Sequence, residues 1–140
     1  MKTLEVANIT EGKEADNQQY IMDCQRIFQG RFNQNFNEMN DEERTAFIKN
    51  HGYFIIEEMT ELFREIPFHK SWKDYSNWSN EKTLEQWNKA KEEYIDVIHF
   101  VVNVGLALWL DSDTILEMYK DKNKVNIHRQ EDPSLGYVNK

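Results

Sequence analysis

Two long stretches, from about Asp41 to Ile66 and from about Leu84 to Trp109, carry apolar residues at helical spacing with no proline inside them. A 3.6-residue period sustained that long commits a segment to helix, because a strand repeats every second residue. No period-2 run stands out elsewhere, and the whole chain contains only two prolines and five glycines. The sequence therefore predicts an all-α fold, a bundle of four to five helices.

The boundaries follow from local chemistry. A first helix is expected from Gln18 to Arg31, with Ile21, Cys24, Phe28 and Phe32 spaced as its apolar face. After an Asn-rich stretch, Asn40 or Asp41 caps the second helix, with Glu43 placed for a reciprocal capping contact. Pro67 ends that helix, since it lacks an N–H and clashes with the preceding turn. Residues Phe68 to Glu81 read as a loop. Gly105, inside the third helix, suggests close packing there. Asp111 or Ser112 then caps a short fourth helix ending near Tyr119, followed by a polar tail. Residues 1–16 are expected to be loosely ordered, and residues 1–140 to form one domain.

At 140 residues the chain is long enough for a real core. Its mean hydropathy of −0.82 is low, although aromatics make up 13% of the residues and each ring buries a large area. A chain this polar is expected to complete its burial against a second copy, as a homodimer. The single Cys24 excludes an internal disulfide and suits a reducing compartment. With no signal-peptide pattern at the N-terminus and no apolar run of spanning length, a cytoplasmic protein without a membrane partner is expected. The net charge of −8 argues against binding duplex nucleic acid, which requires a basic surface. It remains compatible with a nucleotide whose phosphates are bridged to carboxylates by cations.

The carboxylates are arranged for that role. Glu58 and Glu61 lie three residues apart in the second helix, and Glu93 and Asp96 do so in the third. Residues at that spacing lie about 60° apart around a helix axis, so each pair shares a face. Glu58 falls in the apolar sector of Phe54, Ile55 and Leu62, and Glu93 and Asp96 fall in that of Val97, Phe100 and Val104. Both pairs are thus expected to point inward. Four inward carboxylates repel one another and lose hydration. A hard cation with oxygen ligands relieves both penalties, and Mg²⁺ fits because it retains water and phosphate in its shell. Glu57 and Glu92 turn away from the stripes and read as solvated.

These motifs resemble the dimeric dUTPases, phage and bacterial short forms within the MazG-like all-α NTP pyrophosphatases. ExxE in Glu58-Met59-Thr60-Glu61, followed by Pro67 and Phe68, is similar to that family's first acidic motif. Glu93-Tyr94-Ile95-Asp96-Val97-Ile98-His99-Phe100 resembles its ExxDxxHF. Lys122 to Gln130 with Gly136-Tyr137 resembles its KNxxNxxRQ…GY segment. The resemblance implies hydrolysis of dUTP to dUMP and pyrophosphate. Glu58, Glu61, Glu93 and Asp96 would hold two or more Mg²⁺ ions, with Glu61 or Glu58 taking a proton from water. Lys122, Asn126, Arg129 and Tyr137 match its phosphate-binding positions. Gln25 and Gln29 offer amides to uracil, while Phe100, Trp72 and Asn103 would supply a stacking ring, a pocket wall and a sugar contact. The chain has Phe68-His69-Lys70-Ser71-Trp72-Lys73 where the family usually reads W-K-x-W-K, and Gln25 to Gln29 where it reads QxxLN. Two alternatives remain open at this stage. One is a MazG-like or dCTP-directed pyrophosphatase. The other is a regulatory module that binds a phage-related repressor protein.

Overall fold

A computed structural model describes residues 16–132 and residue 134. Among them are four helices and no strand: α1 (Asn17–Gly30), α2 (Asp41–Glu65), α3 (Asn80–Ala107) and α4 (Ser112–Glu131). The expectation of an all-α bundle is met. Loose order over residues 1–16 lies outside the described residues except at Asp16. That side chain caps α1 by accepting from Gln19 N.

Each helix start has a chemical cause. Asn40 and Glu43 form the anticipated capping box on α2, satisfying two otherwise orphaned N–H groups. Asp111 caps α4 through Thr114 N. Ser79 caps α3 through Lys82 N, so this helix begins at Asn80, about a turn before the expected Leu84. The loop reading missed that Ser79 leads into a helix-forming run. At the other end α3 closes with Trp109 at φ 58° while Leu110 N bonds back to Gly105 O. That is the left-handed helix stop usually made by glycine. Gly105 itself is not a close-packing site, because a Cβ added there meets nothing within 4 Å.

The core joins Met22 of α1, Phe36 of the α1–α2 connection, Phe47 of α2, and Leu106 and Ala107 of α3. α2 and α3 make the most extensive contact and run antiparallel. Their facing residues recur every seventh position. Arg44 reaches Ala107, His51 lies against Phe100, Glu58 faces Glu93, and Glu65 meets Gln86. Seven residues are nearly two helical turns, so this spacing keeps one seam in contact along both helices.

Arg44 anchors one end of the seam. Only 5% exposed, it donates to Ala107 O at 2.6 Å and to Phe36 O, and its guanidinium stacks 3.8 Å from the Trp109 ring centre. The negative end of the α3 dipole favours a cation there. The opposite end leads into the α2–α3 connection, where Phe68, Tyr75 and Trp78 pack edge to face and Lys82 sits over Trp78.

Two further expectations need correction. The apolar face anticipated for α1 is largely exposed: Ile21, Phe28 and Phe32 face outward, while Met22, Gln25 and Gln29 are buried. Periodicity finds two faces on a helix, and here the half-polar one is turned inward because it borders a cavity. The fourth helix does not stop near Tyr119 but continues to Glu131, since no proline or glycine interrupts it. α4 touches α1 and makes no comparable contact with α2 or α3. No single helix among the described residues is long and apolar enough to cross a membrane.

Replacing Arg44 with Met leaves the carbonyls of Phe36 and Ala107 unpaired and removes the stack on Trp109. The expected cost is about 3 kcal/mol of unfolding free energy. Arg44→Lys should recover little of it, because an ammonium lacks the planar fork. Urea denaturation measures both; an unchanged midpoint for Arg44→Met contradicts the anchoring role.

Candidate functional site

The heptad register places Glu58 opposite Glu93, two heptads or about four helical turns from the Arg44 anchor. Glu58, Glu93 and Asp96 each present a carboxylate oxygen, all within 4.8 Å of one another. The oxygens Glu58 Oε2 and Glu93 Oε2 are buried without a hydrogen-bond partner. Both carboxyls are pushed above the usual carboxylate range, first by burial and then by the neighbouring acids Glu61 and Asp96. Glu65 adds to the pressure on Glu93. Among the described residues, the ion pair at this cluster is that of His99 Nδ1 with Asp96, at 3.9 Å.

The inward pairs are therefore only half inward. Glu58 and Glu93 are half-buried, whereas Glu61 and Asp96 are exposed at the rim. The cause is the 60° offset within each pair. When one member points along the seam, the other must face its edge. For a hard cation this is a suitable donor set: oxygens only, three of them convergent, two buried and unpartnered, and one side open to water and phosphate.

A cavity of about 580 Å³ opens directly from the acids. Glu58 and Asp96 form its acidic end, and Gln25, Gln29, Phe100 and Asn103 line it further in. Both glutamines and Asn103 are buried. Four of the five residues expected around a base are thus brought together. The fifth is not: Trp72 is 83% exposed in the α2–α3 connection. Lys122, Asn126 and Arg129 lie on α4, away from the α2–α3 seam. Tyr137 lies outside the described residues.

Several lining residues had no place in the sequence reading. Arg31, just past the end of α1, borders the cavity and is exposed. His51 lines an adjoining hollow that shares Phe28, Gln29 and Phe100 with the first. Its Nδ1–H donates to Phe47 O at 3.0 Å, its ring stacks on Phe47, and burial lowers its pKa, so it is neutral. The seven-residue step from His51 to Glu58 was the available sequence signal for it. Gln86 donates to Glu65 Oε2 and fixes the end of the acidic seam.

Residues 17–111 match the dUTPase family, a span that contains the acids and every described cavity residue. The dCTP pyrophosphatase of Enterobacteria phage T4 is 31% identical over 67 residues, covering 44% of this chain and 39% of that protein. The chain thus spans about two fifths of the length of the curated relative it matches. No solved structure shows a significant match.

The raised carboxyls make stability depend on pH. A group whose folded pKa exceeds its unfolded value favours the folded state below the unfolded pKa, and that contribution is lost as pH rises through the folded pKa. Metal-free protein should therefore lose stability from the ordinary carboxylate range upward, through the raised values of Glu58 and Glu93. Added divalent cation should flatten that decline, and Glu93→Gln should flatten it without cation. Thermal melts across pH with and without chelator test this. A metal-free melting temperature indifferent to both Glu93→Gln and pH excludes a frustrated acid cluster.

Proposed function

This chain belongs to the dUTPase family, and from that premise we propose that it is a Mg²⁺-dependent nucleotide pyrophosphatase that hydrolyses dUTP to dUMP and pyrophosphate. The observation that carries the reading is the convergence of three carboxylates, two with buried unpartnered oxygens, at the mouth of an amide-lined cavity. An acidic centre of this kind repels a triphosphate until cations intervene. The adjoining cavity then has the size and lining to take a nucleoside.

Glu58, Glu93 and Asp96 would hold Mg²⁺, with Glu61 completing the set. Bound there, two ions would orient the triphosphate and offset charge as the phosphoanhydride breaks. Glu61 is the better placed of the two candidate bases, because it is exposed at the rim while Glu58 is drawn into the seam. Its carboxylate accepts a proton from the attacking water. Water adds across the α–β phosphoanhydride, yielding a nucleoside monophosphate and pyrophosphate. Arg31 at the cavity border offers a guanidinium to an anionic group. Gln25 and Gln29 face the base and Phe100 provides a ring beside the sugar. Trp72, extended into solvent, would close over the base only by a movement of its connection.

Lys122, Asn126, Arg129 and Tyr137 are proposed to contact the phosphates across a homodimer. The support is twofold: α4 stays off the α2–α3 pair, and apolar residues of α1 and α4 are left uncovered, Phe28 45% and Tyr119 65% exposed among them. Light scattering should give twice the chain mass at micromolar concentration; a monomer there removes that role. A second substrate reading, dCTP, is favoured by the likeness to a protein named dCTP pyrophosphatase. The glutamine amides can present either a donor or an acceptor to a pyrimidine.

Hydrolysis of a panel of nucleoside triphosphates, followed by pyrophosphate release, decides between them. dUTP should lead and chelator should stop turnover. Glu61→Gln and Asp96→Asn should lower kcat by about a thousand-fold or more while the helical spectrum persists. Full metal-dependent activity in Asp96→Asn sinks the assignment of the centre.

A further inference from the structure

Asn103 is the most conspicuous unsatisfied group in the fold. It is 1% exposed, one of the two largest fully buried side chains. Both ends of its amide, Nδ2 and Oδ1, lack a hydrogen-bond partner. Burying one unpaired polar atom is unfavourable, and here a donor and an acceptor on one side chain are both left unpaired. The residue lines the cavity that begins at Glu58 and Asp96. A buried amide with both functions unpaired, bordering a cavity, is a group prepared for a ligand.

Position along α3 says which part of the ligand. Asp96, Phe100 and Asn103 follow one another along the cavity side of the helix. At 1.5 Å per residue, Phe100 lies about 6 Å and Asn103 about 10 Å along the axis from Asp96. A nucleotide with its phosphates at the acids carries its sugar past Phe100 and its base beyond. A deoxyribose hydroxyl is one atom and could satisfy only one end of the amide. A base edge presents a donor and an acceptor side by side, which is the complement of a side-chain amide.

Resting on the nucleotide pyrophosphatase reading, we infer that Asn103 is a specificity-determining residue that pairs with the Watson–Crick edge of a pyrimidine base, and not a sugar contact. Uracil offers N3–H beside O4, and cytosine offers N3 beside its 4-amino group. The amide meets either by turning over about its terminal bond. Asn103 therefore selects for a pyrimidine without choosing between the two. Gln25 and Gln29 on α1 border the same cavity, and their amides can likewise turn to meet either base. A purine sets its equivalent edge farther from the sugar, beyond the reach allowed by the spacing from Asp96.

Nuclear magnetic resonance of the wild-type side-chain amides tests this without turnover. dUMP and dCMP should each shift the Asn103 NH₂ pair, assigned by its loss in a variant at that position. Imidodiphosphate with Mg²⁺, which has no base, should leave the pair in place. Asn103→Leu should raise KM for dUTP and dCTP about ten- to hundred-fold, with kcat falling much less. The same substitution should raise the melting temperature of the ligand-free protein, because it removes two unpaired polar atoms at similar volume. If Asn103→Leu does not fold, the wild-type spectra decide alone. An amide pair unmoved by saturating dUMP and dCMP, or a KM changed less than two-fold, overturns the inference. Absence of any triphosphate hydrolysis by the wild type instead overturns the pyrophosphatase reading, and amide shifts with dUMP would still stand.

Discussion

Arg44, His51, Glu58 and Glu65 succeed one another every seventh residue along α2, and each meets a partner at the same interval along α3: Ala107, Phe100, Glu93 and Gln86. This antiparallel register determines where every side chain of the site falls. All four α2 members are polar, which is unusual for the contact line of a helix pair, where apolar side chains normally supply the adhesion. Cohesion comes from beside the line, through Phe47 and Leu106. The line itself carries groups with specific partners. Arg44 answers the carbonyl end of α3 and stacks on Trp109. His51 is kept neutral by burial, which outweighs the opposing effect of its bond to Phe47 O. Gln86 ties down Glu65.

Glu58 and Glu93 break that pattern, because each faces another acid. Their buried oxygens have no partner, and their carboxyls resist ionisation. A fold tolerates such a layer only when neighbouring layers fix the register independently, and Arg44 at one end with Gln86 at the other do so. The like charges are thus held together by contacts that do not depend on them. A bound cation would turn the least stable layer of the seam into a cross-link between α2 and α3, coupling occupancy to stability. The same logic extends to Asn103, a second unsatisfied group a few residues along the helix. Both sites lie on the one cavity.

The acid pairs, the capping box at Asn40 and Glu43, the stop at Pro67 and the helical character throughout were legible in the sequence. Each is a short-range pattern with one physical outcome: a three-residue spacing shares a face, an Asn three before a Glu satisfies free N–H groups, and a proline cannot continue a helix. Gln25, Gln29, Phe100 and Asn103 were also legible as candidates, and the structure brings all four to one cavity. His51 was legible only through its seven-residue step to Glu58, and Arg44 was not legible. A buried Arg looks like a surface Arg until its carbonyl partners, eight and sixty-three residues away in the chain, are known.

What the sequence determined by itself was therefore everything set within a turn or two of helix: the all-α class, the ends of α2, and which acids share a face. What only the tertiary structure decided was which face of each helix turns inward. The apolar side of α1, with Ile21 and Phe28, lies largely exposed while Gln25 and Gln29 are buried. Only Glu58 and Glu93 of the four acids are drawn into the seam. Periodicity fixes angles around one helix axis, but the rotation of that axis against its neighbours is set by contacts between distant residues. Here those contacts are the core around Phe47 and Leu106 and the Arg44 anchor, and the site follows from them.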